Sequence, residues 1–108
     1  MKKFSEIAKE AKEIEKECDI SLDAVLHKLT QELGEFNDAV QKLRGIYSKS
    51  QGSKGHVEEE AGDLILNFIS VLHELSVNPD DLNLYAENTL RKAIERKNFY
   101  KKRLKIAI

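Results

Sequence analysis

Acidic and amide side chains recur inside one of the most apolar segments of the chain, "EEEAGDLILNFISVLHEL", which runs from Glu58 to Leu75. Glu60, Asp63 and Asn67 stand at i, i+3 and i+7, a spacing that places all three side chains on one face of a helix. Helices this rich in Leu, Ile and Phe are usually buried, and an unpaired buried carboxylate is costly or takes up a proton. The pattern therefore indicates that something holds these acids in place.

A second acid pair, Glu32 and Glu35 in "LTQELGEF", flanks an apolar seam instead of standing opposite it. If the two helices are antiparallel neighbours, Glu32-x-x-Glu35 and Glu60-x-x-Asp63 converge near the middle of the packed helices. Four carboxylates there repel one another unless a cation holds them, and acid oxygens are the ligands of Mg²⁺ or Mn²⁺. A di-iron site expects Glu-x-x-His pairs, and neither pair contains His, so magnesium is favoured over iron.

Magnesium held by acids leaves coordination positions for water and phosphate oxygens, which suggests metal-assisted phosphoanhydride chemistry. Phosphates also need cations from the protein. Asn88, Lys92 and Arg96 stand at i, i+4 and i+8 and form a single stripe on the last predicted helix. Lys49 and Lys54, in the glycine-rich segment "RGIYSKSQGSKGH", are placed to close over a triphosphate.

Composition is typical of a small intracellular helical domain. The chain has 108 residues, 41% of them apolar and 34% charged, and we expect residues 1–108 to form a single domain. A formal charge of −1 gives no general attraction to nucleic acid or to a membrane. One cysteine, Cys18, excludes an intrachain disulfide, and no signal peptide or membrane-spanning run is visible. We therefore expect a cytoplasmic protein with neither a membrane nor a nucleic-acid partner.

Four helices are predicted, and few segments alternate as strands do, so the expected fold class is all-α. The expected ranges are 5–18, 22–43, 57–76 and a last helix that starts at Asn78-Pro79 and continues to about Leu104. In the second helix, apolar residues four and three positions apart predict the seam of a helical bundle: Leu22, Leu26, Leu29, Leu33, Phe36, Val40 and Leu43. Gly34 interrupts this helix and suggests that something approaches its backbone there.

Taken in order, "QELGEF", "EAGDLI", "NPDD" and the basic last helix resemble the MazG-like all-α nucleoside triphosphate pyrophosphohydrolases, whose pattern is EExxE followed by ExxD. The resemblance covers residues 22–103. It implies an antiparallel four-helix bundle completed by dimerisation or tetramerisation, with active sites near the subunit interface. It implies Mg²⁺-dependent (Mn²⁺ is the alternative) cleavage of a (d)NTP between the α- and β-phosphates, giving NMP and pyrophosphate, in nucleotide-pool house-cleaning. By position, the implied metal ligands are Glu32, Glu35, Glu60 and Asp63, and the implied phosphate-binding residues are Lys92 and Arg96.

The chain departs from this pattern at Gln31, which stands where the family has the first Glu. There is no Trp, so stacking on a nucleotide base falls to an aromatic residue from the set Tyr47, Tyr85, Phe99 and Tyr100. The three histidines are expected to be structural or surface residues, and Asn67 to contact substrate, bond to an acid or simply pack. Two alternatives stay open: the related phosphoribosyl-ATP pyrophosphohydrolase of histidine synthesis, and a non-catalytic helical dimerisation module.

Overall fold

A computed structural model describes residues 1–46 and 52–107 of the chain. These residues form five α-helices and one short 3₁₀ helix, with no β-strand among them. The helices are α1 (Phe4–Glu17), α2 (Leu22–Leu43), α3 (Lys54–Glu74), the 3₁₀ helix (Pro79–Asp81), α4 (Leu82–Glu95) and α5 (Lys97–Ala107). The prediction of an all-α fold class is confirmed.

Short polar side chains cap the starts of α2, α3 and the 3₁₀ helix. The Ser21 hydroxyl accepts a hydrogen bond from the Ala24 backbone N–H at 3.2 Å, as a serine N-cap does. Ser53 caps α3 in the same way. Because of that cap, α3 begins three residues earlier than predicted, and Lys54 lies in its first turn instead of in a loop.

The first three helices each end just before a residue in the left-handed region of backbone space. These residues are Asp19, Gly45 and Ser76, with φ of 57°, 75° and 60°. The next residue's N–H then donates to a carbonyl five positions back, in the pairs Ile20–Glu15 (2.8 Å), Ile46–Gln41 (3.1 Å) and Val77–Leu72 (2.8 Å). This closure satisfies terminal carbonyls and turns the chain sharply, so that consecutive helices can pack together.

The last predicted helix is not continuous. Arg96 leaves helical geometry with φ −97° and ψ 4°, which ends α4 at Glu95, and α5 begins at Lys97. The prediction of one helix to about Leu104 is therefore wrong at this residue. No Pro or Gly stands nearby, so no breaker in the sequence marks the break.

Helix α3 is the centre of the packing, because both α1 and α2 pack against it. Glu32 lies beside Glu60 while Gly52 lies beside Leu43, so α2 and α3 run antiparallel. Among the described elements, α4 contacts only the 3₁₀ helix and α5. The radius of gyration is 17.6 Å, against about 13 Å for a compact chain of this length. The described residues of one chain thus do not complete a four-helix bundle, which stays a prediction that requires a second chain.

A partly buried polar cluster joins α1 to α3. The Ser70 hydroxyl, which has no solvent exposure, donates to the Glu15 carboxylate at 2.8 and 3.0 Å. Lys12 forms ion pairs with that carboxylate, at 2.9 Å, and with Glu74. Because every charged member has a partner, the cluster holds α1 at a defined register along α3.

Large apolar side chains remain exposed along one side of α2 and α3. They line a groove of about 460 Å³, called here the α2–α3 groove, formed by Leu29, Thr30, Leu33, Leu64, Ile65 and Phe68. A Cβ atom at Gly34 would meet no atom within 4 Å, so no described part of this chain approaches the backbone there. Within residues 1–46 and 52–107, no helix combines the length and the apolar composition that crossing a membrane requires.

Candidate active site

Three carboxylates from two helices converge where α2 crosses α3. One oxygen each from Glu32, Glu60 and Asp63 lies within 4.8 Å of the others. Glu32 is buried, Glu60 is half-buried and Asp63 is exposed, so the cluster opens from the helix interface toward solvent. Two of the three come from the apolar segment of α3, where the i, i+3 spacing turns both toward α2.

The deep side of this cluster holds two unsatisfied oxygens. Oε2 of Glu32 and Oε2 of Glu60 are buried and have no hydrogen-bond partner among the described residues. Burial, followed by the charge of Glu35, raises the pKa of both carboxyls above the ordinary value of 4.5. Buried anions of like charge are unfavourable unless a cation neutralises them. The donor set, composed only of carboxylate oxygens, fits a hard divalent cation.

Glu35 lies at the edge of the cluster. It is exposed and is not one of the three residues whose oxygens converge within 4.8 Å. Its charge nevertheless raises the pKa of Glu32 and of Glu60, so it stands close to both. The structure therefore brings all four predicted acids into one region, three in a tight set and Glu35 beside them.

His56, which is expected from the sequence to be a structural or surface residue, lies next to the acid cluster. Its Nδ1 lies 4.0 Å from Oε1 of Glu60, one helical turn away, and it lowers the pKa of Glu60 against the larger effects that raise it. The i, i+4 spacing of the two residues was the available signal, since such pairs are neighbours on a helix surface.

Asn67 supports the helix that carries the acids. Its side chain is 8% exposed, and Nδ2 donates to the Asp63 backbone carbonyl at 2.8 Å. In the described structure the amide group thus bonds to the main chain of its own helix, at Asp63. A contact between Asn67 and substrate stays a prediction.

The predicted cations lie apart from the acids. Lys92 on α4 and Arg96 just after it are exposed and form no ion pair with any described residue, and Asn88 is half-buried on the same helix. Helix α4 has no contact with α2 or α3. Lys54 is exposed at the start of α3, and Lys49 lies outside the described residues. The described residues of one chain therefore do not bring the predicted phosphate-binding stripe to the carboxylates.

The described aromatic candidates for stacking on a nucleotide base also lie outside the two helices that carry the acids. The Tyr85 hydroxyl donates to the Asn78 backbone carbonyl at 3.1 Å, which ties it to the start of α4. Phe99 and Tyr100 are exposed on α5, with ring centroids 5.9 Å apart in an edge-to-face arrangement. Tyr47 lies outside the described residues. No described aromatic side chain from this set belongs to α2 or α3, the helices that carry the acids.

A family model described as the MazG nucleotide pyrophosphohydrolase domain matches residues 20–100. The chain belongs to the MazG family. The MazG match includes α2, α3 and α4, and with them both acid pairs and the stripe of Asn88, Lys92 and Arg96. Neither the curated proteins nor the solved structures contain a match to the chain. MazG membership confirms the resemblance seen in the sequence and implies a nucleotide pyrophosphohydrolase, which is a hydrolase, of a family that typically depends on a divalent metal.

Proposed function

We propose that this protein is a Mg²⁺-dependent nucleotide pyrophosphohydrolase that cleaves a (d)NTP between its α- and β-phosphates, releasing NMP and pyrophosphate. One observation carries the proposal: the carboxylates of Glu32, Glu60 and Asp63 converge within 4.8 Å and leave two buried oxygens unsatisfied. Its biological role is removal of non-standard or excess nucleotides from the pool.

The metal ligands are Glu32, Glu60 and Asp63, with Glu35 completing the set from the edge. A divalent cation bound there supplies charge neutralisation at the phosphates and a water of lowered pKa. Mg²⁺ is preferred to a softer metal because the donors are oxygens, and Mn²⁺ can substitute for it.

The surrounding residues keep these carboxylates in position. Asn67 bonds to the backbone of Asp63, and His56 stands beside Glu60. The packing of α2 on α3 fixes the distance between the two halves of the acid set. The helix backbone that carries these carboxylates is thus in place before substrate binds, which limits reorganisation during the reaction.

Lys92 and Arg96 bind the phosphates and neutralise their negative charge, assisted by Asn88 and Lys54. A guanidinium group binds phosphate oxygens in a bidentate manner, and an ammonium group acts as a point charge. Gln31 is exposed next to Glu32, so it lies near the site and does not replace a ligand of the converging set.

The protein acts as a homodimer or homotetramer. Two observations support this: among the described elements α4 contacts only the 3₁₀ helix and α5, and the α2–α3 groove exposes Leu33, Ile65 and Phe68 by 57%, 43% and 42%. Apolar side chains exposed together in this way mark protein interfaces. A second copy covers the groove with the same surface, as twofold dimers do.

The decisive experiment measures pyrophosphate and monophosphate release from a panel of ribo- and deoxynucleoside triphosphates and phosphoribosyl-ATP, with Mg²⁺ and with EDTA. We expect metal-dependent release from at least one triphosphate. Glu60→Gln should lower turnover by more than about 100-fold. Mutation of residues that only support metal ligands already lowers metal affinity or activity by about 10–100-fold. Glu59→Gln is the matched control, because Glu59 is the exposed neighbour on α3 and should keep its activity.

Release from phosphoribosyl-ATP alone would replace this proposal with the histidine-synthesis alternative. No release across the panel, from protein that is folded and helical, would leave the non-catalytic dimerisation module.

A further inference from the structure

Helix α1 takes its N-terminal cap from a distant part of the chain. Lys3 precedes the helix in extended geometry, and its side chain makes no capping hydrogen bond to any described residue. Instead, the Ser5 backbone N–H donates to Oδ1 of Asp80, 75 residues away, at 2.9 Å. A carboxylate there satisfies a backbone donor that the helix leaves open, and its charge suits the positive end of the helix dipole. Asp80 is therefore the N-cap of a helix to which it does not belong.

This cap is an ionised carboxylate at neutral pH. Hydrogen bonds from the Ser5 hydroxyl and then from the Ser5 backbone lower the pKa of the Asp80 carboxyl below the ordinary value of 3.8. The positive charge of Lys3 acts in the same direction. The contact between α1 and Asp80 thus favours the charged form that caps a helix best.

The 3₁₀ helix Pro79–Asp81, which carries Asp80, is the junction of three helices. It contacts α1, α3 and α4. Among the described elements, α4 contacts only this 3₁₀ helix and α5. The direction of α4 relative to the first three helices therefore depends on how the 3₁₀ helix is held.

Hydrogen bonds run through this junction from α1 to α4. Oδ1 of Asp80 accepts from Ser5, and the Asp80 backbone N–H donates to Oδ1 of Asn78 at 3.1 Å. The Asn78 carbonyl in turn accepts from the hydroxyl of Tyr85, in the first turn of α4, at 3.1 Å. Pro79, between Asn78 and Asp80, is buried. A side-chain network of this kind holds its members in one arrangement.

Helix α1 is itself fixed at its other end. The ion pair Lys12–Glu74 and the hydrogen bond between Ser70 and Glu15 attach it to α3. These pairs also show that α1 and α3 run antiparallel, so the start of α1 lies toward the end of α3, where the 3₁₀ helix follows. Helix α1 thus joins the polar cluster on α3 to the cap at Asp80.

We propose that Asp80 is a positioning residue: it holds the 3₁₀ helix against α1 and so fixes the direction in which α4 presents Lys92 and Arg96. Ser5 lies outside the residues 20–100 matched by the MazG model and Asp80 lies within them, so the cap joins α1 to the matched region. The part that concerns phosphate binding rests on the proposed function. The direction of α4 rests on hydrogen bonds and contacts alone.

Electron–electron double resonance between two spin labels tests this positioning without any need for activity. One label is placed on Cys18, the exposed native cysteine that follows α1, and the other on Ala86→Cys, at an exposed position of α4. Labelled full-length chain is refolded with an excess of unlabelled chain of the same variant, so that distances within one chain are measured. Asp80→Ala removes the acceptor, Asp80→Asn keeps a capping oxygen, and Asp81→Ala removes the neighbouring exposed acid as the matched control.

A fixed α4 predicts one narrow distance distribution in the wild type, in Asp80→Asn and in Asp81→Ala, and a broad or shifted distribution in Asp80→Ala. Circular dichroism checks that every variant keeps its helix content. An unchanged narrow distribution in Asp80→Ala would overturn the proposal, and so would a broad distribution in the wild type. Equal broadening in Asp81→Ala would overturn it as well, because loss of any acid from the 3₁₀ helix would then suffice.

Kinetics separate positioning from a merely structural role. When a fraction of the molecules holds the binding-competent direction, apparent affinity falls by that fraction, while the bound molecules react as before. Asp80→Ala should therefore raise KM for the triphosphate about tenfold if about a tenth of the molecules stay competent, and should leave kcat within about twofold. Asp80→Asn should restore the wild-type KM. A loss of kcat at unchanged KM would overturn the positioning of Lys92 and Arg96, whereas an inactive wild type would count against the proposed function alone.

Discussion

Glu32 and Glu60 each hold one buried oxygen that no described residue satisfies. Such atoms are rare in folded proteins because they forfeit hydration without gaining a hydrogen bond. Glu32 lies on α2 and Glu60 on α3, and one oxygen of each lies within 4.8 Å of the other and of an oxygen of the exposed Asp63. Repulsion between these carboxylates is the feature that fits the cluster to the divalent cation we propose.

Stability without metal should fall as pH rises. Folding raises the pKa of Glu32 and Glu60 above 4.5, so the folded state holds protons that the unfolded chain has already released. This stabilising contribution is fully present below 4.5 and is lost as pH rises through the raised pKa values. In EDTA, Glu60→Gln should therefore melt a few degrees above wild type near neutral pH, with the difference vanishing near pH 4.5.

Thermal unfolding followed by circular dichroism at fixed protein concentration measures this effect. Glu59→Gln, which changes an exposed acid on the same helix, should follow the wild-type curve. A Glu60→Gln variant that is less stable than wild type at neutral pH would contradict the repulsion argument.

Magnesium should stabilise the wild type and fail to stabilise the ligand variants. At about one hundred times its dissociation constant, a ligand that binds only the folded state adds about 2.7 kcal/mol. Glu60→Gln and Asp63→Asn should show little of this gain, which calorimetry with and without Mg²⁺ would detect. Equal stabilisation of wild type and both variants would place the bound metal elsewhere.

At the level of elements, α3 does three things at once. It packs α1 against one side and α2 against another, and it carries Glu60 and Asp63 toward α2. Its apolar composition follows from the first two contacts, and its embedded acids follow from the third. Helix α1 lies entirely outside the matched residues 20–100, yet it is joined to α3 through Ser70 and Glu15.

Removal of the Ser70 hydroxyl should weaken this junction. Ser70→Ala leaves the half-buried Glu15 with one partner fewer, which should reduce the free energy of unfolding by about 1–3 kcal/mol. Thr89→Ala, which removes an exposed hydroxyl bonded to the Tyr85 carbonyl of its own helix, should stay within about 0.5 kcal/mol. Urea unfolding measures the free energy of unfolding of both variants. Equal losses in the two variants would contradict a role for Ser70 in holding α1 against α3.

At the level of the whole molecule, the α2–α3 groove lies close to the acid cluster. Leu33 follows Glu32 by one position and so lies about 100° around α2 from it. Leu64, which also lines the groove, stands one helical turn after Glu60 on α3, so the groove adjoins the acid cluster. The second copy that we propose to cover the groove would therefore pack beside the acids.

A charge placed in the groove should separate the subunits. Leu33→Glu introduces a carboxylate where we expect a second copy to pack, and it should lower the oligomer mass measured by light scattering. Leu75→Glu is the matched control, since Leu75 is exposed to 59% against 57% for Leu33 and lies outside the groove. An unchanged oligomer mass for Leu33→Glu would show that the groove is not part of the interface between subunits.

Local chemistry explains which features the sequence predicts well. The bounds of α2 follow from the Ser21 cap, the run of leucines and the left-handed turn at Gly45, all of which act within a few residues. Convergence of the two acid pairs was also predictable, because each pair flanks an apolar seam that must face the neighbouring helix. The early start of α3 and the break at Arg96 were missed, because a cap inside a polar segment and a break without Pro or Gly carry weak signals.

The sequence alone determined the all-α class, the family and the four acids, because periodicity and residue type suffice for these. Only the tertiary structure decided that α4 stands away from the helices it was expected to join, and that Lys92 and Arg96 are remote from the carboxylates of their own chain. The physical reason is that spacing along a helix tells which side chains share a face. What that face meets depends on turn geometry and on the net balance of packing between elements distant in sequence.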